Sequence, residues 1–241
     1  SHCLNHLKKA KKIYSTQKAD KEMVYLLLIY VELYSRASNT LNATKFGVQA
    51  LTLANQIKNK ELIGYSYLAL SNAVPITNPE DKYIHQAIKY LGNAKSSLLS
   101  HAYNNLGYRY YSNGILDSSL YYYQKSIDLK KEQKDPSLSN TYINLGNLYF
   151  QKGNYERTLD ITDQNLILLR DQKNIEYLIE TYTIRSKAFC HLDDLNEAAL
   201  ALERVNELLQ DFPDPSYNLR IQYFKAKKLL AKSAGSTDDF Y

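Results

Sequence analysis

One eight-residue pattern occurs twice in this chain, with its glycines, Gly107 and Gly146, 39 residues apart. Residues 103–110 read YNNLGYRY and residues 142–149 read YINLGNLY. Each copy is followed by a glycine turn, at Gly114 and Gly153, and then by a second amphipathic stretch. A fixed period of this length is typical of repeat architectures, in which each unit buries its apolar face against its neighbours. The chain is therefore predicted to be an array of helix–turn–helix units.

Small or slim residues extend this period along most of the chain. A first small site recurs at separations of 38, 38, 39 and 40, at Val31, Ala69, Gly107, Gly146 and Ser186. A second site follows 12 residues later in four units and 18 later in one, at Ala43, Ala87, Ser119, Thr158 and Ala198. A third lies 7 residues further on, at Ala50, Ala94, Ser126, Asn165 and Val205. Helices approach closely where side chains are small, so these sites predict the contacts within each helix pair.

The pattern resembles the tetratricopeptide repeat (TPR), W-x2-L-G-x2-Y followed by A-x3-F and P. Tyr103 and Tyr142 occupy the Trp position, the Leu-Gly pair matches directly, and Tyr110 and Tyr149 fill the aromatic position. The resemblance implies an all-α fold, a right-handed α-solenoid of antiparallel helix pairs with about 12 helices. The period exceeds the usual 34 residues, and this longer form resembles TPR arrays of bacterial membrane-anchored sensor and regulator proteins.

The spacing predicts one array over residues 1–241, with repeats at about 21–58, 59–97, 98–136, 137–174 and 175–214. Residues 1–20 and 215–241 fit partial repeats. Neither end resembles the polar cap that solenoids need, which indicates a piece of a longer protein. The longer step in the second unit predicts an irregular loop over residues 74–81. It is interpreted as a tolerated surface insertion, with a partner contact as the alternative.

Composition and motifs exclude several other classes. Gly 8 and Pro 5 are too few for a many-stranded sandwich or barrel, and a net charge of +5 is too weak to imply nucleic acid. The longest apolar run, residues 23–31, is too short to span a membrane. No catalytic, cofactor or metal motif is recognised, so the chain is not expected to be an enzyme. His2, Cys3 and His6 are interpreted as a chance spacing.

The first helices of a TPR array form its concave surface, and the register places candidate partner-binding residues there. Asparagine amides hold an extended peptide backbone, while aromatic rings receive apolar side chains. The predicted binding residues are Asn104, Tyr108, Tyr111, Asn147, Phe150, Thr183 and Lys187. A merely solvated face is the alternative. The basic residues of the carboxylate clamp in chaperone-binding arrays are missing at matching positions.

These observations leave three functions open. The first is a protein or peptide interaction module, the sensor or scaffold part of a larger bacterial signalling or transcription-regulatory protein. That reading expects a membrane anchor outside this sequence and a periplasmic location. The second is an intracellular, cytoplasmic receptor of the peptide-pheromone type. The third and weakest is a nucleic-acid-binding repeat that uses lysine and tyrosine.

Overall fold

A computed structural model describes residues 9–10, 12–14, 20–75, 82–92, 97–172, 174–212 and 214–235. These residues contain helices and turns but no strand, which confirms the all-α prediction. Residues 9–10 and 12–14 are helical. Eleven longer helices follow in the described part: α1 (Asp20–Arg36), α2 (Thr40–Gln56), α3 (Lys60–Ala73), α4 (Lys82–Leu91), α5 (Ser97–Ser112), α6 (Leu116–Gln133), α7 (Leu138–Gln151), α8 (Tyr155–Gln172), α9 (Ile175–His191), α10 (Leu195–Gln210) and α11 (Tyr217–Ser233).

The turns follow from a few residues at helix ends. Gly114 and Gly153 adopt φ of 75° and 73°, the left-handed region that glycine enters without steric cost. Asp193 takes the corresponding place after α9 with φ of 61°. The next residue, Asp194, caps α10 by accepting a hydrogen bond from the Glu197 amide. Asparagine and serine side chains cap other helices in the same way, at Asn39, Asn59, Asn154, Asn174 and Ser216.

The chain divides into two compact units, residues 1–115 and 116–241. The division falls in the turn between α5 and α6, inside the predicted third repeat. Unit 1 contains α1 to α5 and unit 2 contains α6 to α11. Each unit is built from successive helices packed on one another in chain order.

Both units bend toward their first helices. In unit 1, α1 packs on α3, and in unit 2, α9 packs on both α7 and α11. The second helices make no comparable contact with one another in the described residues. First helices are therefore closer together than second helices, which makes their exposed side concave. We call this side the inner face of each unit.

The predicted small-residue register is confirmed by burial. All three sites are buried in every unit wherever the structure describes them, and Ala94 alone lies outside the described residues. Ser186 adds a hydrogen bond, donating to the Ala198 carbonyl at 2.9 Å. Asn165, the only amide at these sites, is 1% exposed. It accepts a hydrogen bond from Ser139 and donates one to Thr181, so it joins α7, α8 and α9.

Two close contacts between helices, at Gly47 and Gly64, occur at positions that the small-residue register does not mark. A Cβ atom added to Gly47 would lie 2.6 Å from Leu70 Cδ2, and one added to Gly64 would lie 2.7 Å from Leu91 Cγ. At Gly146 the nearest atom would be 3.6 Å away, an ordinary van der Waals distance. The two close contacts at Gly47 and Gly64 therefore lie in unit 1, at positions that the repeated motif does not mark.

Candidate functional site

The inner face of unit 2 is formed by α7, α9 and α11. Phe150 lies at the C-terminal end of α7, Lys187 lies in the last part of α9, and Gln222 lies on α11. All three side chains are half-buried, and α9 lies between the other two helices. The repeat spacing therefore brings residues from three successive first helices to one place.

Lys187 is the cation at the centre of this group. Its Nζ lies 5.2 Å from the centroid of the Phe150 ring and 3.4 Å from Gln222 Oε1. Burial and the neighbouring Lys225 lower the pKa of Lys187 to about 8. In the described part of the chain no carboxylate pairs with it. Lys187 is thus a partly desolvated ammonium with neutral neighbours and a second cation beside it.

An aromatic group lies next to Lys187. The ring centroids of Phe150 and His191 are 5.3 Å apart, and Tyr155 stacks on His191 at 4.5 Å. Tyr155 also meets the Phe150 ring edge-on at 5.4 Å. Sequence reasoning placed Phe150 on this face but missed Tyr155, the first residue of α8. Its position two residues after the Gly153 turn was the available signal.

An acidic group lies toward the other end of α9. Burial and then the neighbouring Glu176 raise the pKa of Glu180 to about 7. Tyr177 is hydrogen-bonded to the Asn140 side chain, while burial, Glu180 and Glu176 raise its pKa. The inner face of unit 2 is therefore anionic near the start of α9 and cationic near its end.

The inner face of unit 1 is richer in tyrosine and amide groups. Tyr108 and Tyr111 stack with ring centroids 6.3 Å apart, and Tyr108 is 42% exposed. Burial, and then Tyr108, raise the pKa of Tyr111. Beside them Asn105 donates to Asn72 Oδ1 at 2.9 Å, joining α5 to α3. The inner face of unit 1 therefore presents aromatic rings and amides, whereas the inner face of unit 2 presents charged groups.

Comparison with solved structures identifies the fold of this chain. No family model and no curated protein matches the chain. BtubC (BKLC) from P. vanneervenii is a structural match at 14% identity and a TM-score of 0.71, over 87% of this chain and 89% of that one. A kinesin light chain of Podospora anserina with nearly identical TPR-like repeats matches at 12% identity and a TM-score of 0.56, over 78% and 94%. The chain has the tetratricopeptide-repeat fold. A Rap protein complexed with Competence and Sporulation Factor shares this TPR fold at 15% identity and a TM-score of 0.68, over 96% of this chain and 70% of that one.

Not every predicted binding residue reaches the surface of the TPR units. Thr183 is 1% exposed and donates its hydroxyl hydrogen to the Ile179 carbonyl. Asn104 is 8% exposed, and its amide donates to Asn105. Asn147 is half-buried and donates to the Ile143 carbonyl of its own helix. Tyr108, Tyr111, Asn147, Phe150 and Lys187 therefore remain as candidate contacts, in two groups that belong to different units.

The thiol of Cys190 offers little chemistry. Cys190 is buried, and burial raises the pKa of its thiol, which keeps the sulfur protonated and poorly nucleophilic. His2, Cys3, His6 and most of the predicted insertion, residues 76–81, lie outside the described residues. Among the described helices, none combines the length and the apolar character that a membrane crossing requires.

A cavity of 570 Å³ between the second helices α8 and α10 was not predicted. Leucine and isoleucine side chains from α8, α9 and α10 form much of its lining, together with Tyr182. Arg204 and Glu207, which pair with each other, are among its polar residues. The cavity lies away from the inner face and shares none of its residues.

Proposed function

We propose that this TPR chain is a non-catalytic interaction module whose inner faces bind a protein or peptide segment. The environment of Lys187 supports this proposal most directly. This half-buried cation contacts Phe150 and Gln222 but no carboxylate in the described part of the chain. An unpaired buried charge is costly, and it is retained where a ligand supplies the missing partner. Tyr108 and Tyr111 provide the corresponding contact surface in unit 1.

A peptide suits these faces better than a small metabolite does. The candidate residues lie on open helix surfaces, whereas small-molecule sites enclose most of the ligand. Exposed rings take apolar side chains, and amides such as Asn147 pair with an extended backbone. The fold shared with a Rap protein complexed with Competence and Sporulation Factor supports this choice by analogy.

For the cellular role we propose the sensor or scaffold part of a larger bacterial signalling or transcription-regulatory protein. The second candidate is an intracellular receptor for a peptide of the pheromone type, which the likeness to the Rap complex favours. The complete gene separates them. A signal peptide together with an apolar stretch of about 20 residues supports the first, and an adjoining helix-turn-helix without either supports the second.

The binding function is tested by selecting peptides from a random library on the immobilised chain. Selected peptides are synthesised with a fluorescent label, and their affinity is measured by anisotropy for wild type and Phe150→Ala. Enrichment of a sequence pattern whose affinity falls in the variant supports the proposal. If no peptide is enriched over bare resin, the chain is not a peptide-binding module of this kind.

A further inference from the structure

Two opposite charges stand at defined positions on one helix of unit 2. Glu180 and Lys187 are seven residues apart on α9, which is close to two helical turns, so both lie on the same side of the helix. The helical rise places them about 10 Å apart along the axis. They are too far apart to pair with each other, and each is partly buried.

Neither group meets an opposite charge among the described residues. Lys187 contacts the neutral Gln222 and the Phe150 ring, and the charge that acts on it is that of Lys225. Glu180 lies beside Glu176 and Tyr177, so its surroundings are acidic. Each buried charge therefore has a like charge as neighbour. A ligand with the complementary charges would relieve both interactions at once.

The spacing fixes the separation that such a ligand needs. A segment in the polyproline II conformation rises about 3.1 Å per residue with three residues per turn, so side chains three residues apart project from the same side about 9 Å apart, close to the spacing of Glu180 and Lys187. We infer that the inner face of unit 2 binds a segment in the polyproline II conformation that carries one basic and one acidic side chain three residues apart. The basic group lies against Glu180 and the acidic group against Lys187. This inference rests on the proposed function and adds the class of peptide that is recognised.

The aromatic group adds a third requirement. His191 lies one turn beyond Lys187 on α9, with Phe150 and Tyr155 against it. A ligand residue that follows the acidic side chain, on the side away from the basic one, meets these rings. An apolar or aromatic residue is therefore expected there. The full pattern is basic, acidic and apolar in spatial order from the start of α9 to its end.

Two single charge reversals test the pattern. The peptide library is selected at about pH 7.5, where an ordinary peptide acid and lysine are both ionised, on wild type, Lys187→Glu and Glu180→Lys. Wild type is expected to enrich peptides with opposite charges three residues apart. Lys187→Glu makes this side of α9 doubly anionic and should enrich two basic residues at that spacing. Glu180→Lys should enrich two acidic residues.

Affinities of synthetic peptides then measure each charge separately. For the best wild-type peptide, Lys187→Gln and Glu180→Gln should each weaken binding at least fivefold. Replacing the acidic residue of the peptide should weaken binding to wild type but not to Lys187→Gln, because that partner is already gone. Circular dichroism and thermal melting of each variant show whether it is folded before any affinity is interpreted.

The outcomes separate this inference from the proposed function. If peptides are enriched but show no charge bias at the three-residue spacing, or if the bias is the same in both reversals, the inference is overturned while peptide binding stands. If a folded wild-type chain enriches no peptide, the proposed function fails and the inference fails with it. A shift of charge preference with each reversal supports both.

Discussion

Lys130 on α6 and Thr141 on α7 meet inside unit 2, with 3.0 Å between the ammonium nitrogen and the hydroxyl oxygen. The same nitrogen donates to the Ser137 carbonyl at 3.0 Å, and the lysine is 2% exposed. Burial lowers the pKa of Lys130 to about 8, against the opposing effect of Asp135. A charged lysine is therefore held in the interior where α6 packs on α7, largely by neutral acceptors.

This contact predicts a pH dependence of stability. The unfolded chain holds the Lys130 proton more tightly than the folded chain, whose pKa is about 8 against an ordinary 10.5. The cost of burying the charge is thus fully present below about pH 8 and disappears as the pH rises toward about 10.5. Between about pH 7.5 and pH 10, the free energy of unfolding should rise by about 2 kcal/mol from this group alone.

Lys130→Met isolates this contribution, because other titrating groups are common to both proteins. The difference in unfolding free energy between wild type and Lys130→Met, measured by urea denaturation at both pH values, should shift in favour of wild type at the higher pH. Parallel pH curves for the two proteins would show that the buried lysine does not titrate in this range.

Gly64 and Gly146, both on first helices, are expected to differ in how substitution by alanine changes stability. At Gly64 the new Cβ would lie 2.7 Å from Leu91 Cγ and 3.3 Å from Tyr90 Cβ, so Gly64→Ala should destabilise by about 1 to 3 kcal/mol through overpacking. Gly146→Ala finds ordinary contact distances, and alanine favours helix by about 0.5 to 1 kcal/mol. Gly146→Ala should therefore be neutral or stabilising. Thermal melts that rank the two variants the other way would contradict this difference in packing between Gly64 and Gly146.

This contrast shows what the sequence predicts about the fold and what it does not. The repeated pattern identified Gly146 and Ser186 correctly as buried sites between helices, because burial follows the period. How tight each site is depends on the neighbouring side chain, and Leu91 against Gly64 has no marker in the repeat. The period also gives no sign that the compact units divide inside the predicted third repeat.

Opposite substitutions in the turns after α7 and α9 are expected to have opposite effects on stability. Gly153→Ala puts a Cβ into the left-handed region, and no atom lies within 4 Å of it, so the expected loss of about 1 to 2 kcal/mol comes from the backbone alone. Asp193→Gly removes the same strain and should stabilise by a few tenths to about 1 kcal/mol. Chemical denaturation measures both. Equal effects of the same sign would indicate that the two turns are not equivalent.

Removing the buried amide of Asn165 is expected to lower the free energy of unfolding more than removing an exposed amide does. Ser139 donates to Asn165 at 2.6 Å, so Asn165→Ala leaves a buried hydroxyl without its acceptor and should destabilise by about 1 to 3 kcal/mol. Gln124→Ala is the matched control, because its hydrogen bond to Asp128 is exposed, and it should cost under about 0.5 kcal/mol. Similar losses of unfolding free energy in both variants would contradict the prediction that the buried hydrogen bonds of Asn165 stabilise unit 2.

The candidate site was only partly predictable, because the register fixes the direction of a side chain but not its depth. Asn104 and Thr183 were placed on the correct helices, yet both are buried against neighbouring turns. Lys187 and Phe150 were placed on the correct face, but their contact depends on the distance between α7 and α9. Tyr155 was missed because it belongs to a second helix and reaches the face from its first turn.

The aromatic anchors give the last prediction. Phe150 contacts Lys187, Tyr155 and His191 in unit 2, and Tyr111 stacks on Tyr108 in unit 1. Truncating an aromatic anchor at an interface removes apolar contact area that few other residues supply. Phe150→Ala should therefore weaken binding of a peptide that contacts unit 2, and Tyr111→Ala that of a peptide that contacts unit 1, each by more than about 1 kcal/mol with the helical content unchanged.

Tyr121→Ala is the matched control, since Tyr121 is 54% exposed and lies on α6, a second helix. Its removal should change affinity less than about twofold, because surface residues outside an interface contribute little. Titration of labelled peptides selected on the wild-type chain against the three variants compares them directly. If Tyr121→Ala lowers the affinity while Phe150→Ala and Tyr111→Ala do not, the partner binds the outer side of the second helices, and the inner faces are not the binding surface.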